Sequence, residues 1–186
     1  LSASLHGMLT NPSTPWFTLR FVDDELDGND EANEWLQGAE KVLYRAFARS
    51  NFQEQIHELY HDLVVFGTGV MFVEEDDEFM LRFSTRHISE CYLSENEHGR
   101  VDTVYREFRM PARAAVNRFG KNKVSQKFIK AANENPYEMV TVCHAVFFRD
   151  TFDRTKYDSA NKPVASIYFD AEEGIILSES GFDEFP

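Results

Sequence analysis

The sequence predicts an α+β chain: an N-terminal helix pair, then curled antiparallel strands forming a small barrel-like sheet with short helical insertions. Three observations predict it. Apolar residues between positions 31 and 66 recur at helical spacing in two stretches joined by a very short link. From Val70 onward the period switches to short strand-like runs separated by Gly, Asn and Asp clusters. Helices come first and strands follow, without the strand–helix alternation of a βαβ chain. The expected division is a mainly helical region, 1–69, containing the helix pair at 31–66, and an antiparallel β-rich region, 70–186, with short helices near 111–133.

Residues 1–9 read as the end of a helix or a short amphipathic turn, and Thr10 to Pro15 is turn-rich. Trp16 to Val22 alternates in part and predicts a strand. The first long helix is expected from about Glu31 to Ala48, capped by Asn29 or Asp30, with Trp35, Leu36, Ala39, Val42, Leu43, Ala46 and Phe47 along one stripe. Ser50 and Gln53 have the spacing of a capping box for a second helix, which carries Phe52, Ile56, Leu59, Tyr60, Leu63 and Phe66 and ends at Gly67.

Val70–Val73 and Phe79–Phe83 read as a hairpin with Glu75, Asp76, Asp77 and Glu78 at an exposed tip. Cys91–Leu93 and Val101–Met110 read as a second pair, turned by Asn96, His98 and Gly99. Pro111 opens a short helix closed by Gly120, and Ser125–Asn133 is another. Met139–Phe148 is one long strand. After a polar loop from Asp150 to Lys162, Val164–Phe169 and Ile175–Ser178 form a last hairpin through Glu172, Glu173 and Gly174.

Composition excludes several classes. Of 186 residues, 42% are hydrophobic, including 17 Phe, and 27% are charged, so the chain is neither disordered nor short of core. Asp and Glu number 32 against 19 Lys and Arg, a net charge of −13. A field of that sign repels phosphate backbones and argues against a surface that grips DNA tightly. The two cysteines, Cys91 and Cys143, lie in strand-like runs and read as buried free thiols in a reducing compartment. No apolar run approaches the ~20 residues needed to cross a bilayer, and no signal peptide is visible. The start at Leu1 and the end at Pro186 both read as mid-protein sequence.

Three motifs invite a chemical reading. His57-Glu58-Leu59-Tyr60-His61 is literally H-E-x-x-H on a predicted helix, the pattern in which two His bind zinc and the Glu moves the water's proton. With Phe52 at the origin and 100° per residue, His57 and His61 lie at roughly 140° and 180°, on the polar side of the helix. No third ligand follows at the expected spacing, so a solvated helix face explains the three residues more simply. Asp23-Asp24-Glu25-Leu26-Asp27-Gly28 with Glu34 approaches a calcium loop, but Glu25 stands where Asp or Asn is expected and a strand, not a helix, precedes it. The run from Arg118 to Lys130, with Lys121, Lys123 and Lys127, is the one basic stretch. It reads as a helix surface, or as a contact for an acidic neighbouring subunit. Gly67-Thr68-Gly69 precedes no helix and is a turn, not a phosphate loop.

The chain resembles the head-to-tail connecting, or portal, proteins of T7-like and related short-tailed phages. The resemblance runs through Leu1 to Pro12 and Trp16-Phe17, then Ser50-Asn51-Phe52, Tyr60 to Leu63 and Phe66 to Gly69. It returns at Gly99 to Met110, Phe119-Gly120 and His144-Ala145-Val146. The family tends to have Thr where Pro111 stands, which alters the cap of the next helix.

The resemblance implies a structural subunit, not an enzyme. It implies a ring, usually of twelve copies, around a channel through which double-stranded genomic DNA passes without sequence-specific contact. Terminase, scaffold and capsid, and tail proteins would be its partners. Its place would be the head–tail vertex of the virion, and the host cytoplasm during assembly. The region would be portal wing-like, with channel-lining helices mostly beyond Pro186. No catalytic, metal-binding or cofactor residue is carried over, and no membrane is implicated. The readings that compete from the residues alone are an acidic protein-binding adaptor and a zinc-dependent hydrolase using His57, Glu58 and His61.

Overall fold

The computed structural model describes residues 1–22, 28–153, 155–156 and 158–185. The chain divides into two compact units, Leu1–Ile88 and Ser89–Pro186.

The first unit holds helices α1 (Ser2–Leu9), α2 (Asp30–Arg49) and α3 (Phe52–Phe66), and a hairpin of β1 (Val70–Asp76) and β2 (Met80–Arg86). The Asn29 side chain accepts from Ala32 N, and Asp30 and Glu31 in the first turn complement the helix dipole, so α2 starts where its cap chemistry is best. The capping box expected from Ser50 and Gln53 is not formed. Ser50 instead closes α2: its hydroxyl donates to Phe47 O at 2.9 Å and accepts from Phe52 N at 3.2 Å. Gln53 Oε1 lies 2.7 Å from His6 Nε2, and Asn51 takes the N-cap position of α3. Gly67, at φ 75°, ends α3 in the left-handed conformation that costs glycine little.

The strand expected at Trp16–Val22 is absent; that segment is irregular. Its backbone is satisfied by side chains of α2 instead of a ladder. Tyr44 Oη accepts from Trp16 N and Phe17 N at 2.7 and 2.8 Å and donates to Phe17 O at 2.8 Å, and Glu40 accepts from Leu19 N at 3.3 Å. The rings follow: Phe17 stacks on Tyr44 and Trp16 on Phe52. This aromatic layer joins the core of Phe52, Ile56, Tyr60 and Phe83. Burying side chains of this size contributes about 1.5–3 kcal/mol each.

The second unit is built on five strands: β3 (Cys91–Glu95), β4 (Val101–Pro111), β5 (Met139–Phe148), β6 (Val164–Asp170) and β7 (Ile175–Phe182). Asn96 turns the first hairpin by accepting from His98 N, with Gly99 at φ 68°. Asp170 turns the last one, its Oδ1 accepting from Glu172 N and Glu173 N. Helices α4 (Ala112–Phe119) and α5 (Gln126–Glu134) fill the β4–β5 connection. Pro111 offers no side-chain cap to α4. The helix's first two N–H groups go instead to Glu138 O and Pro136 O, at 2.8 and 3.2 Å. Ser125 caps α5 by accepting from Phe128 N.

The expectation of curled strands in a small barrel-like sheet is overturned. The strands lie in the order β3-β4-β5-β6-β7, all antiparallel, so β3 and β7 are opposite edges and do not pair. The β1–β2 pair is a separate sheet. The core sits between the sheet and the two helices, where Phe108, Val140 and Val142 meet Ala115, Phe119 and Phe128. Helices covering one face remove the need to bury that face inside a closed barrel. A bulge between Tyr168 and Phe169 leaves Leu177 without a partner on β6 and turns it into this core, at 0% exposure. The fold is therefore α+β, with N-terminal helices and open antiparallel sheets.

Candidate functional site

The H-E-x-x-H residues sit on the outer side of α3. His57, Glu58 and His61 are all exposed, because Phe52, Ile56 and Tyr60 take the buried side. The nearest ring to His57 is that of His6, with centroids 5.4 Å apart and edge on. Among the described residues, no three His, Cys, Asp or Glu side chains converge as metal ligands. The helix thus supplies two imidazoles on one side and nothing that completes a tetrahedral site. The calcium-like segment falls at Asp23–Asp27, outside the described residues.

The acidic hairpin tip is formed as its sequence implies. Asp76 Oδ1 accepts from Glu78 N and Phe79 N, both at 2.9 Å, while Glu75, Asp77 and Glu78 are exposed. Those two donors, with Arg82 beside them, hold the Asp76 carboxyl below its ordinary range. Behind the tip lies an open cavity of about 410 Å³ lined by Arg49, Asn51, Glu54, Asp76, Glu78 and Arg82, among others. Its charges are mixed, and the one hydroxyl on its lining, Ser50, is engaged with Phe47 O and Phe52 N. Met80, at φ 70°, is the one non-glycine residue with positive φ among those described.

Sequence reading takes His144 only as part of a segment of resemblance and gives no reason to join it to Ser166 or Tyr168. The register does: His144 on β5 lies opposite Tyr168 on β6, their rings stacked at 3.9 Å. His144 Nε2 is 2.8 Å from Ser166 Oγ. Both His144 and Ser166 are 8% exposed, so the pair is a core hydrogen bond between buried polar groups, not an open nucleophile–base dyad. Neither Cys91 nor Cys143 is in a disulfide. Cys143 is half-buried, and burial, then the carboxylates of Glu107 and Asp170, push its thiol upward.

What remains is surface suited to protein contact. The last turn of α3 exposes Leu63, Val64, Val65 and Phe66 on successive sides of the helix, and α2 shows Trp35 at 67% exposure together with Val42. Exposed apolar groups in this density suit contact with another surface. On the second unit, the basic run from Arg118 to Lys130 covers the end of α4, the following loop and α5. No helix among the described residues is long and apolar enough to cross a membrane.

Comparison with known proteins gives this surface a context. The family model for "Bacteriophage head to tail connecting protein" matches residues 1–186. The chain is 36% identical over 190 residues to a protein of Salmonella phage epsilon15 named "Portal protein", and 32% identical over 188 residues to a "Probable portal protein" of Bordetella phage BPP-1. Each match covers 100% of this chain and 34% of the relative, so the chain spans about a third of the length of these curated relatives. From end to end, the chain belongs to the family of bacteriophage head-to-tail connecting proteins.

Proposed function

We propose that this chain is a region of a portal subunit: a structural, non-catalytic protein that assembles with copies of itself into a ring at the head–tail vertex of a phage particle. The observation that carries this reading is the end-to-end match to the connecting-protein family, with two relatives named as portal proteins. In this reading the ring holds about twelve copies. Genomic double-stranded DNA passes through its channel during packaging and ejection, without sequence-specific contact. Terminase, capsid or scaffold proteins and tail proteins dock on its surfaces, and assembly takes place in the host cytoplasm.

The surface chemistry supports the reading. A balance of 32 acidic against 19 basic residues suits a body past which a polyanion slides. The exposed apolar turn of α3 and the Trp35 face of α2 suit lateral subunit contacts. The test is negative-stain electron microscopy of the protein at its full natural length, with class averages sorted by symmetry. Rings near twelvefold with a central hole are expected. Compact monomers at high concentration would overturn the reading.

A further inference from the structure

The charge of this chain is unevenly placed. Positions 112–133 contain six Lys and Arg and no Asp or Glu, in a chain of net charge −13. All six are exposed: α4 and α5 turn Ala112, Ala115, Phe119, Phe128 and Ala131 toward the sheet and leave four of the bases on their outer side, and the other two lie in the loop between them. Four of the six have a partner. Lys127 pairs with Glu172 and Lys130 with Glu134, Arg118 lies over the Tyr168 ring, and Arg113 over Tyr137. Lys121 and Lys123, in the loop between the helices, meet no carboxylate among the described residues.

The opposite charge is concentrated on the other unit. The β1–β2 tip carries five acids in a row from Glu74 to Glu78, with no base among them. Asp76 is occupied in holding the turn, which leaves Glu75, Asp77 and Glu78 displayed to solvent at the hairpin tip.

A ring that closes needs two unlike patches on every copy, because each subunit meets its neighbours head to tail. We infer that the basic loop between α4 and α5, centred on Lys121 and Lys123, docks the acidic hairpin tip of a second copy of this chain. The inference rests on the ring reading above and names the two patches. A phosphate backbone is the poorer occupant, since the rest of the chain repels it. A compact acidic loop brings its charge to the lysines alone.

The test uses the full-length protein and two charge reversals: Lys121→Glu with Lys123→Glu on the basic loop, and Glu75→Lys, Asp77→Lys and Glu78→Lys on the tip. Ring formation is read by native mass spectrometry and electron microscopy. With wild-type protein forming rings, each reversed protein alone is expected to lose them. A one-to-one mixture of the two is expected to regain them, because alternating copies restore every contact. Circular dichroism checks that each variant folds. If a reversal prevents folding, Lys121→Gln with Lys123→Gln replaces it, and its rings are expected to fall apart at lower salt than wild type.

Rings that persist in either reversed protein, or an unchanged salt dependence in the Gln variant, would overturn the inference. So would recovery only when both reversals are in one chain, which would place the contact within a copy. A Lys-reversed protein that keeps its rings but loses binding to double-stranded DNA would overturn it in favour of nucleic acid. Wild-type protein that forms no rings would instead remove the ring reading itself.

Discussion

Asn51 grips Phe83 through both of that residue's backbone groups: Nδ2 donates to Phe83 O at 2.8 Å, and Oδ1 accepts from Phe83 N at 2.9 Å. Two residues along the same strand edge, Gln55 accepts from Thr85 N at 2.6 Å, and Thr85 Oγ1 donates to Gln55 O at 2.7 Å. The start of α3 thus stands where a third strand would lie and covers one edge of the hairpin.

Replacing Asn51 with Ala leaves the N–H and carbonyl of Phe83 without these partners. The expected loss is about 1–3 kcal/mol, read as a lower denaturation midpoint with an unchanged slope. A midpoint within error of wild type would show that water replaces the side chain at no cost.

Tyr44→Phe keeps the ring stack on Phe17 but removes the hydroxyl that serves Trp16 and Phe17. The amides of Trp16 and Phe17 should then exchange with solvent faster than in wild type, while those of α3 keep their protection. Uniform loss of protection across the unit would mean that the hydroxyl supports the whole unit and not one segment.

Leu177→Ala truncates the bulged residue that reaches the core between sheet and helices. A fully buried leucine of this kind should cost about 2–5 kcal/mol, seen in thermal or denaturant unfolding. The neighbouring Ile176, which is exposed, should tolerate Ala with little change. Equal effects at the two positions would contradict the bulge.

Asp76 gives the hairpin tip an acid limit. Its carboxyl is held below the ordinary value of 3.8 by donation from Phe79 N and Glu78 N, and then by the nearby Arg82 charge. A depressed folded-state value means that its contribution is present above the unfolded pKa and is lost as pH falls through the folded one. The amide resonances of Glu78 and Phe79 should therefore titrate with a midpoint below 3.8. A midpoint at or above that value would exclude the Asp76 turn in solution.

Much of this architecture is legible in the residues. The Phe52, Ile56 and Tyr60 repeat of α3 marks a helix because burial at helical spacing leaves a periodic trace, whereas the apolar stripe of α2 marks its helix although Trp35 and Val42 on it are exposed and only Ala46 is buried. Gly67, Gly99 and Gly174 punctuate the chain where positive φ is needed. Trp16–Val22 misleads because its alternation resembles a strand, whereas the partner of its backbone is a tyrosine hydroxyl 27 residues away in sequence at Phe17. Ser50 misleads because one hydroxyl can close the helix before it or open the one after. Curl leaves no trace in side-chain alternation, which reports which face is buried and not whether the edge strands meet. For the site, the exposed position of His57 and His61 follows from the helical wheel. The His144–Ser166 contact depends on strand register and is hidden until the strands are paired.

The strand order of the second unit has a kinetic consequence. Each of β3 to β7 pairs only with the strand before or after it in the chain. Each pairing closes a short stretch, the longest being the β4–β5 connection that α4 and α5 occupy. Low separation between contacting residues favours fast folding. A nascent chain can therefore lay down this sheet strand by strand as it leaves the ribosome, with no early strand waiting for a distant partner. Finishing its sheet early limits the time during which loose strands could pair between chains instead of within one.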